Sequence, residues 1–146
     1  MSDSVAPLLP VFDEYAAPFF EGARRGVLRV QRCPDTRRLL FPPRARSPFG
    51  RRREPEWSAV SGRGAIWSFA VPHPPLLPPF DALARYAVIV VALDEDPRVR
   101  MVGNLLAREG GRLDEVDPAT IEIGAAVRVV FEPVTEEIVL PRWVRV

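Results

Sequence analysis

Three features of this 146-residue chain predict a mainly β fold. Its 17 prolines exclude long helices and most central strand positions, because proline lacks the backbone N–H that both structures use. Apolar residues recur at every second position from Ala65 to Val71 and from Val127 to Phe131, the period of a half-buried strand. Tyr86 to Leu93 is an unbroken run rich in valine and isoleucine, the pattern of a strand buried on both faces. The expected architecture is a five-stranded barrel over residues 58–146. A degenerate zinc-ribbon-like segment over 27–57 and short N-terminal helices over 1–26 precede it.

The first segment carries Phe12, Tyr15 and Phe19 at helical spacing, with Asp13 and Glu14 near its start and Arg24 and Arg25 near its end, as the helix dipole favours. Pro18 interrupts the pattern, so two short helices are expected, with Pro18 at the first position of the second and Gly26 as the stop. So many aromatics on an appended helix exceed what a small domain readily covers. Phe19 and Phe20 are therefore candidates for a partner surface as well as for packing.

Val27 to Arg32 alternates, with Leu28 and Val30 on one face and Arg29 and Gln31 on the other, and leads into the ribbon. Cys33-Pro34-Asp35-Thr36 has the form of a zinc knuckle, and Ser47-Pro48-Phe49-Gly50 that of a second. Thr36, Ser47 and Gly50 stand where three further cysteines would complete the site. One thiolate cannot hold zinc in a tetrahedron of soft donors, so the segment is read as a ribbon without metal, and no cofactor is expected. Leu39-Leu40-Phe41 forms a second short strand, closed by Pro42-Pro43. Leu39, Leu40, Phe41 and Phe49 are expected to form an apolar cluster in place of the ion. The run Arg51-Arg52-Arg53 reads as a solvated face.

Glu56 to Val60 is extended. Ser61-Gly62-Arg63-Gly64 then marks a tight corner, with Gly62 and Gly64 as structural turn residues. In the first barrel strand Ala65, Trp67, Phe69 and Val71 are expected on the inner face. Pro72 to Ala84 is a proline-rich loop of a length that is usually functional. It holds the single histidine, His73, with Pro74, Pro75, Leu77 and Phe80. Asp94-Glu95-Asp96-Pro97 turns the chain into Arg98–Leu106, with Val99 and Met101 inward. Asp117-Pro118-Ala119-Thr120 starts one helical turn, capped by Asp117. Two last strands follow, and Pro141 confines part of the second to an edge. Hairpin, short helix, hairpin is the order of the OB-fold, a five-stranded Greek-key barrel.

Composition narrows the function. All 20 basic residues are arginine, which removes lysine Schiff-base chemistry, and the net charge of +1 gives little long-range attraction to nucleic acid or lipid. One cysteine excludes an internal disulfide. The N-terminus lacks the pattern of a signal peptide and no apolar run reaches membrane length, so a cytoplasmic location is expected. Cys33 and His73 are single and far apart, so no nucleophile, base and orienting group are in view.

In this order the motifs Pro18-Phe19-Phe20-Glu21-Gly22, Val30-Gln31-Arg32-Cys33, Phe41-Pro42-Pro43-Arg44, Ser61-Gly62-Arg63-Gly64 with Trp67-Ser68-Phe69, and Gly124 before Val127-Arg128-Val129-Val130-Phe131 have a counterpart. Almost end to end, the chain resembles the acyl-CoA-associated OB-fold family with a rubredoxin-like zinc ribbon, also called domain of unknown function 35. The resemblance implies an accessory, non-catalytic subunit that pairs with a thiolase-like enzyme or a hydratase subunit in lipid, sterol or polyketide metabolism and helps shape its acyl-CoA site. Acyl-CoA itself is a further ligand in that reading. On it, Phe19, Phe20, His73, Pro74, Pro75, Leu77 and Phe80 are the candidates for partner or acyl-CoA contact. The alternative is a nucleic-acid-binding OB module, for which Trp67 and Phe69 would be stacking platforms. Their alternation reads better as core. A small hydrolase using Cys33 or His73 is the weakest reading.

Overall fold

The computed structural model describes residues 8–51 and 53–146. Secondary structure starts with one α-helix, α1 (Ala17–Arg24), where two were expected. Pro18 sits in its first turn, as its fixed φ and missing N–H allow, and the residues just before it form only a turn, closed when Asp13 Oδ1 accepts the Ala16 N–H at 2.9 Å. Gly26, at φ +71°, ends the helical stretch.

Three short strands, β1 (Arg29–Arg32), β2 (Leu39–Leu40) and β3 (Glu56–Ala59), form an antiparallel sheet in the order β2-β1-β3. Five more strands, β4 (Arg63–Ala70), β5 (Val88–Leu93), β6 (Arg100–Leu106), β7 (Ala126–Pro133) and β8 (Val139–Arg145), close into a barrel in the order β4-β5-β6-β8-β7. That is the OB-fold connectivity. A single 3-10 turn, Pro118–Thr120, lies between β6 and β7, and Asp117 caps it by accepting the Ala119 N–H at 3.0 Å. Val99 and Met101 are buried.

Two strand readings change. β4 carries a bulge at Trp67: Ile66 pairs with Val91 and Ser68 with Val90, so Trp67 is the extra residue. The bulge shifts the side-chain phase by one position. Before it Gly64 and Ile66 face the core, Trp67 stands 50% exposed with the Arg100 guanidinium 3.8 Å from its ring centre, and beyond it Phe69 packs against the core again. β5 is not buried on both faces. Ile89, Val91 and Leu93 are in the core, whereas Val88, Val90 and Ala92 are only half-covered, because in a closed five-stranded barrel one face of every strand is the outer one.

The core is continuous from ribbon to barrel. Phe19, Leu28, Val30 and Leu39 are buried in the same cluster as Ile66, Ile89, Val91, Met101, Val127 and Trp143. Each large side chain buried there stabilises the fold by roughly 1.5–3 kcal/mol, so the ribbon sheet is held by the barrel as well as by its own hydrogen bonds. Leu39 and Phe41 thus belong to the main core and not to a separate ribbon cluster. Phe49 is outside that core, half-buried beneath the Arg38 guanidinium at 3.7 Å, and lines a small cavity together with Leu39, Leu40 and Phe41.

Candidate functional site

An apolar hollow among the described residues follows from how the barrel closes. β6 and β8 run parallel and pair only at Leu105 with Trp143 and Leu106 with Val144. Before those pairs the strands part. Pro141 has no N–H to offer there, and side chains take over the bridging: Arg142 Nη1 donates to Asn104 Oδ1 at 2.7 Å and Arg142 Nε to Glu132 Oε2 at 2.5 Å. Asn104 Nδ2 donates in turn to the Ala87 carbonyl at 3.1 Å. The edge placement of Pro141 therefore has a structural result, an opening in the barrel wall.

Above this fork lies a groove of about 610 Å³, lined by Val102, Leu140 and Pro141 from the parted strands, by Phe20 of α1, by Leu8 and Leu9 of the N-terminal stretch, and by Phe80 and Tyr86 at the end of the proline-rich loop. Its volume is in the range of ligand sites, and its composition is that of such sites, apolar walls with a few polar groups at one end. Here the polar end is Asn104 with Arg142. Phe20 stacks on Phe12 at 4.3 Å between ring centres and Phe80 on Tyr86 at 5.7 Å, so both walls are stiffened by aromatic pairs.

The sequence candidates divide. Phe19, Phe20 and Phe80 come together along this groove, which puts the helix and the end of the loop on one side of the molecule. Phe19, however, is only 9% exposed and packs on Phe41 at 5.8 Å, so it is a core residue whose edge reaches the groove. His73, Pro74, Pro75 and Leu77 are exposed farther along the loop and are not part of the lining. Gly62 and Gly64 do hold a close approach. A Cβ on Gly62, whose φ is +74°, would lie 2.4 Å from Val129 Cγ1, and one on Gly64 would lie 2.4 Å from the Ala92 carbonyl oxygen. Asn104, Arg142, Val102 and Leu140 were missed. The only signal for them in the sequence was Pro141, because the fork depends on which strands become neighbours.

In the ribbon, Cys33 is fully buried, and Ser47 and Thr36 do meet it. The Ser47 hydroxyl, then that of Thr36, hydrogen-bonds the thiol and outweighs burial, which brings its pKa down to about 7. Gly50 supplies no donor, and the space its side chain would take is filled: a Cβ there would lie 2.4 Å from Asp35 Oδ2. Gln31, expected on the polar face of its strand, is buried, because its amide is bonded on both sides to the Arg44 backbone, Nε2 donating to the carbonyl at 3.0 Å and Oε1 accepting the N–H at 2.8 Å. Among the described residues no group of three or more His, Cys, Asp or Glu side chains is placed to hold a metal ion, and none of the helices is long and apolar enough to cross a membrane.

Residues 57–132 match the family model described as ChsH2, C-terminal OB-fold domain, and residues 20–46 match that of the ChsH2 rubredoxin-like zinc ribbon domain. The chain is 34% identical over 111 residues to a DUF35 domain-containing scaffold protein of Methanothermobacter thermautotrophicus, covering 75% of each. Over 130 residues it is 32% identical to the 3-oxo-4,17-pregnadiene-20-carboxyl-CoA hydratase alpha subunit of Mycobacterium tuberculosis, covering 88% of this chain but only 37% of that one. In three dimensions it is similar to a chain of the Ltp2-ChsH2(DUF35) aldolase, with a TM-score of 0.79 and 28% identity over 94% of this chain and 98% of that one. The ribbon of this family is described as a zinc ribbon. The residues here do not fit that ion, since one thiol, two hydroxyls and a glycine stand at the four positions.

Proposed function

The chain belongs to the DUF35 family, with the OB-fold and ribbon of ChsH2, and from that premise we propose that it is an accessory, non-catalytic subunit of an acyl-CoA enzyme. The observation that carries the reading is the groove. It joins the aromatic helix, the end of the proline-rich loop and the open β6–β8 fork into one apolar surface, and no nucleophile with a base and an orienting group borders it. Cys33 is buried in the ribbon and His73 is exposed on the loop, so the two do not form a catalytic pair. A surface of this kind can bury apolar parts of a partner or an acyl chain, and the one hydroxyl among its described lining residues, that of Tyr86, has no carboxylate, histidine or thiol beside it in that lining.

The names of the relatives support the same reading, since they are a scaffold protein, a hydratase subunit and one component of an aldolase. The finer proposal is that the partner is a thiolase-like enzyme or a hydratase subunit in lipid, sterol or polyketide metabolism, and that the groove helps shape its acyl-CoA site. A stable interface buries about 1,600 Å² in total, which helix, loop and groove rim together can supply. In the test, the purified chain is assayed for acyl-CoA turnover alone and with candidate thiolase-like and hydratase partners, with Phe20→Asp as the surface variant. The expected result is no turnover alone, a changed partner activity, and loss of the complex in Phe20→Asp with the barrel still folded. Robust turnover by the isolated chain, abolished by His73→Ala, would make it an enzyme and end the accessory reading.

One observation favours the nucleic-acid alternative: Trp67 is on the surface beside Arg100, and not in the core. Stacking platforms beside arginine are the equipment of single-strand binders. Titration with single-stranded oligonucleotides at rising salt decides it, because binding through several phosphates collapses between low and moderate salt.

A further inference from the structure

We infer that the ribbon of this chain is a metal-free ribbon, in which the side chains of Asp35 and Gln31, together with the barrel core, do the holding that a zinc ion does in a complete site. The first ground is the donor set. A structural zinc site needs four thiolate or imidazole ligands, and the four positions hold Cys33, the hydroxyls of Thr36 and Ser47, and Gly50. The second is that the space is in use. Asp35 projects into the place of a side chain at position 50, where a Cβ would approach its Oδ2 to 2.4 Å. There its Oδ2 accepts the Arg51 N–H at 2.9 Å, and Oδ1 lies 3.6 Å from Arg53 Nε. The carboxylate of the first knuckle thus grips the backbone of the second, the connection that the ion makes between two knuckles.

Each knuckle also closes without a metal. The Cys33 N–H donates to the Arg38 carbonyl and the Arg37 N–H to the Cys33 carbonyl, both at 2.8 Å, while Ser47 Oγ accepts the Phe49 N–H at 3.1 Å. Gln31 adds a second tie, from β1 to the Arg44 backbone of the loop between the knuckles, and its burial removes water as a competitor for those two hydrogen bonds. Leu28, Val30 and Leu39 then seat the sheet in the barrel core. Asp35 is the only carboxylate between residues 24 and 53, a stretch with eleven arginines, and Glu56, at the end of the ribbon, pairs instead with Arg37 at 3.1 Å.

The test uses the full chain, produced in zinc-supplemented medium and measured three ways. Metal analysis of the denatured protein is expected to find no stoichiometric zinc, and EDTA is expected to leave the melting curve unchanged. Hydrogen exchange is expected to show faster exchange across residues 31–51 in Asp35→Ala and in Gln31→Ala, with the barrel strands as in the parent. In the gain-of-site arm, Thr36→Cys with Ser47→Cys and Gly50→Cys is expected to bind zinc only when Asp35→Ala clears the space. One zinc per parent chain that is lost in Cys33→Ser would overturn the inference. So would parent-like exchange across the ribbon in both single variants. The triple-cysteine chain binding zinc equally well with Asp35 in place would disprove the claim that the carboxylate occupies the site.

Discussion

Replacing Arg142 by methionine removes the polar bridge of the β6–β8 fork while keeping most of the side-chain stem. Arg142 is 15% exposed, and its charged hydrogen bond to Asn104 Oδ1 is the more protected of its two contacts. Bonds to charged groups contribute about 1.5–3 kcal/mol, and a half-buried amide oxygen left without its donor keeps that cost from being regained. Glu132, 36% exposed, rehydrates when its partner is lost, so its share is about 0–1 kcal/mol. The expected loss is about 2–3 kcal/mol, or roughly 5–10 °C in melting temperature for a domain of this size. Thermal unfolding followed by circular dichroism measures it, and a double-mutant cycle with Asn104→Leu isolates the pair, with an expected coupling of about 1 kcal/mol or more. A shift of less than about 1 °C, or single losses that simply add, would show that the fork is held by backbone pairing beyond it and that the polar end of the groove is not a structural bridge.

Gly64→Ala places a methyl 2.4 Å from the Ala92 carbonyl oxygen of the neighbouring strand, and because that atom is backbone the expected cost is about 1–3 kcal/mol or more by denaturant melts. Gly110→Ala is the control: it meets nothing within 4 Å and costs only about 1 kcal/mol of left-handed strain. Trp67→Thr is expected to cost no more than about 1 kcal/mol, against about 3–5 kcal/mol for Trp143→Ala, and equal losses would mean that Trp67 points inward after all. Asp114 accepts both arms of the Arg112 guanidinium at 3.0 Å and the Ala84 N–H at 3.3 Å, and the Arg112 bonds above all bring its pKa down to about 2. A carboxylate lowered in the folded state stabilises above its ordinary value near 4. That contribution is lost as pH falls through about 2, so the stability advantage of the parent over Asp114→Asn is expected to shrink from pH 4 downward. An advantage that does not change with pH would place the effect in packing rather than charge.

Much of this fold is written in local chemistry. The proline in the first turn of α1, the Asp117 cap and Pro118 at the start of its helical turn, and the inward Val99 and Met101 all depend on a residue and its near neighbours, which the sequence holds complete. The knuckle spacing likewise brings Cys33, Thr36 and Ser47 to one place. What the sequence could not show is where distant segments meet. Strand period is 2, so one bulge residue puts the two parts of β4 out of phase, and a bulge is set by the partner strand: that is why Ile66 and Phe69 both reach the core while Trp67, in phase with Phe69 in the sequence, does not. Gln31 reads as an exposed strand residue until the loop at Arg44 folds over it, and Asp35 as a turn residue until Gly50 is seen beside it. The groove is the clearest case. Phe20, Phe80, Val102 and Leu140 are spread over 121 residues of sequence, and only the closure of β8 beside β6, with proline at the point of parting, gathers them into one apolar surface.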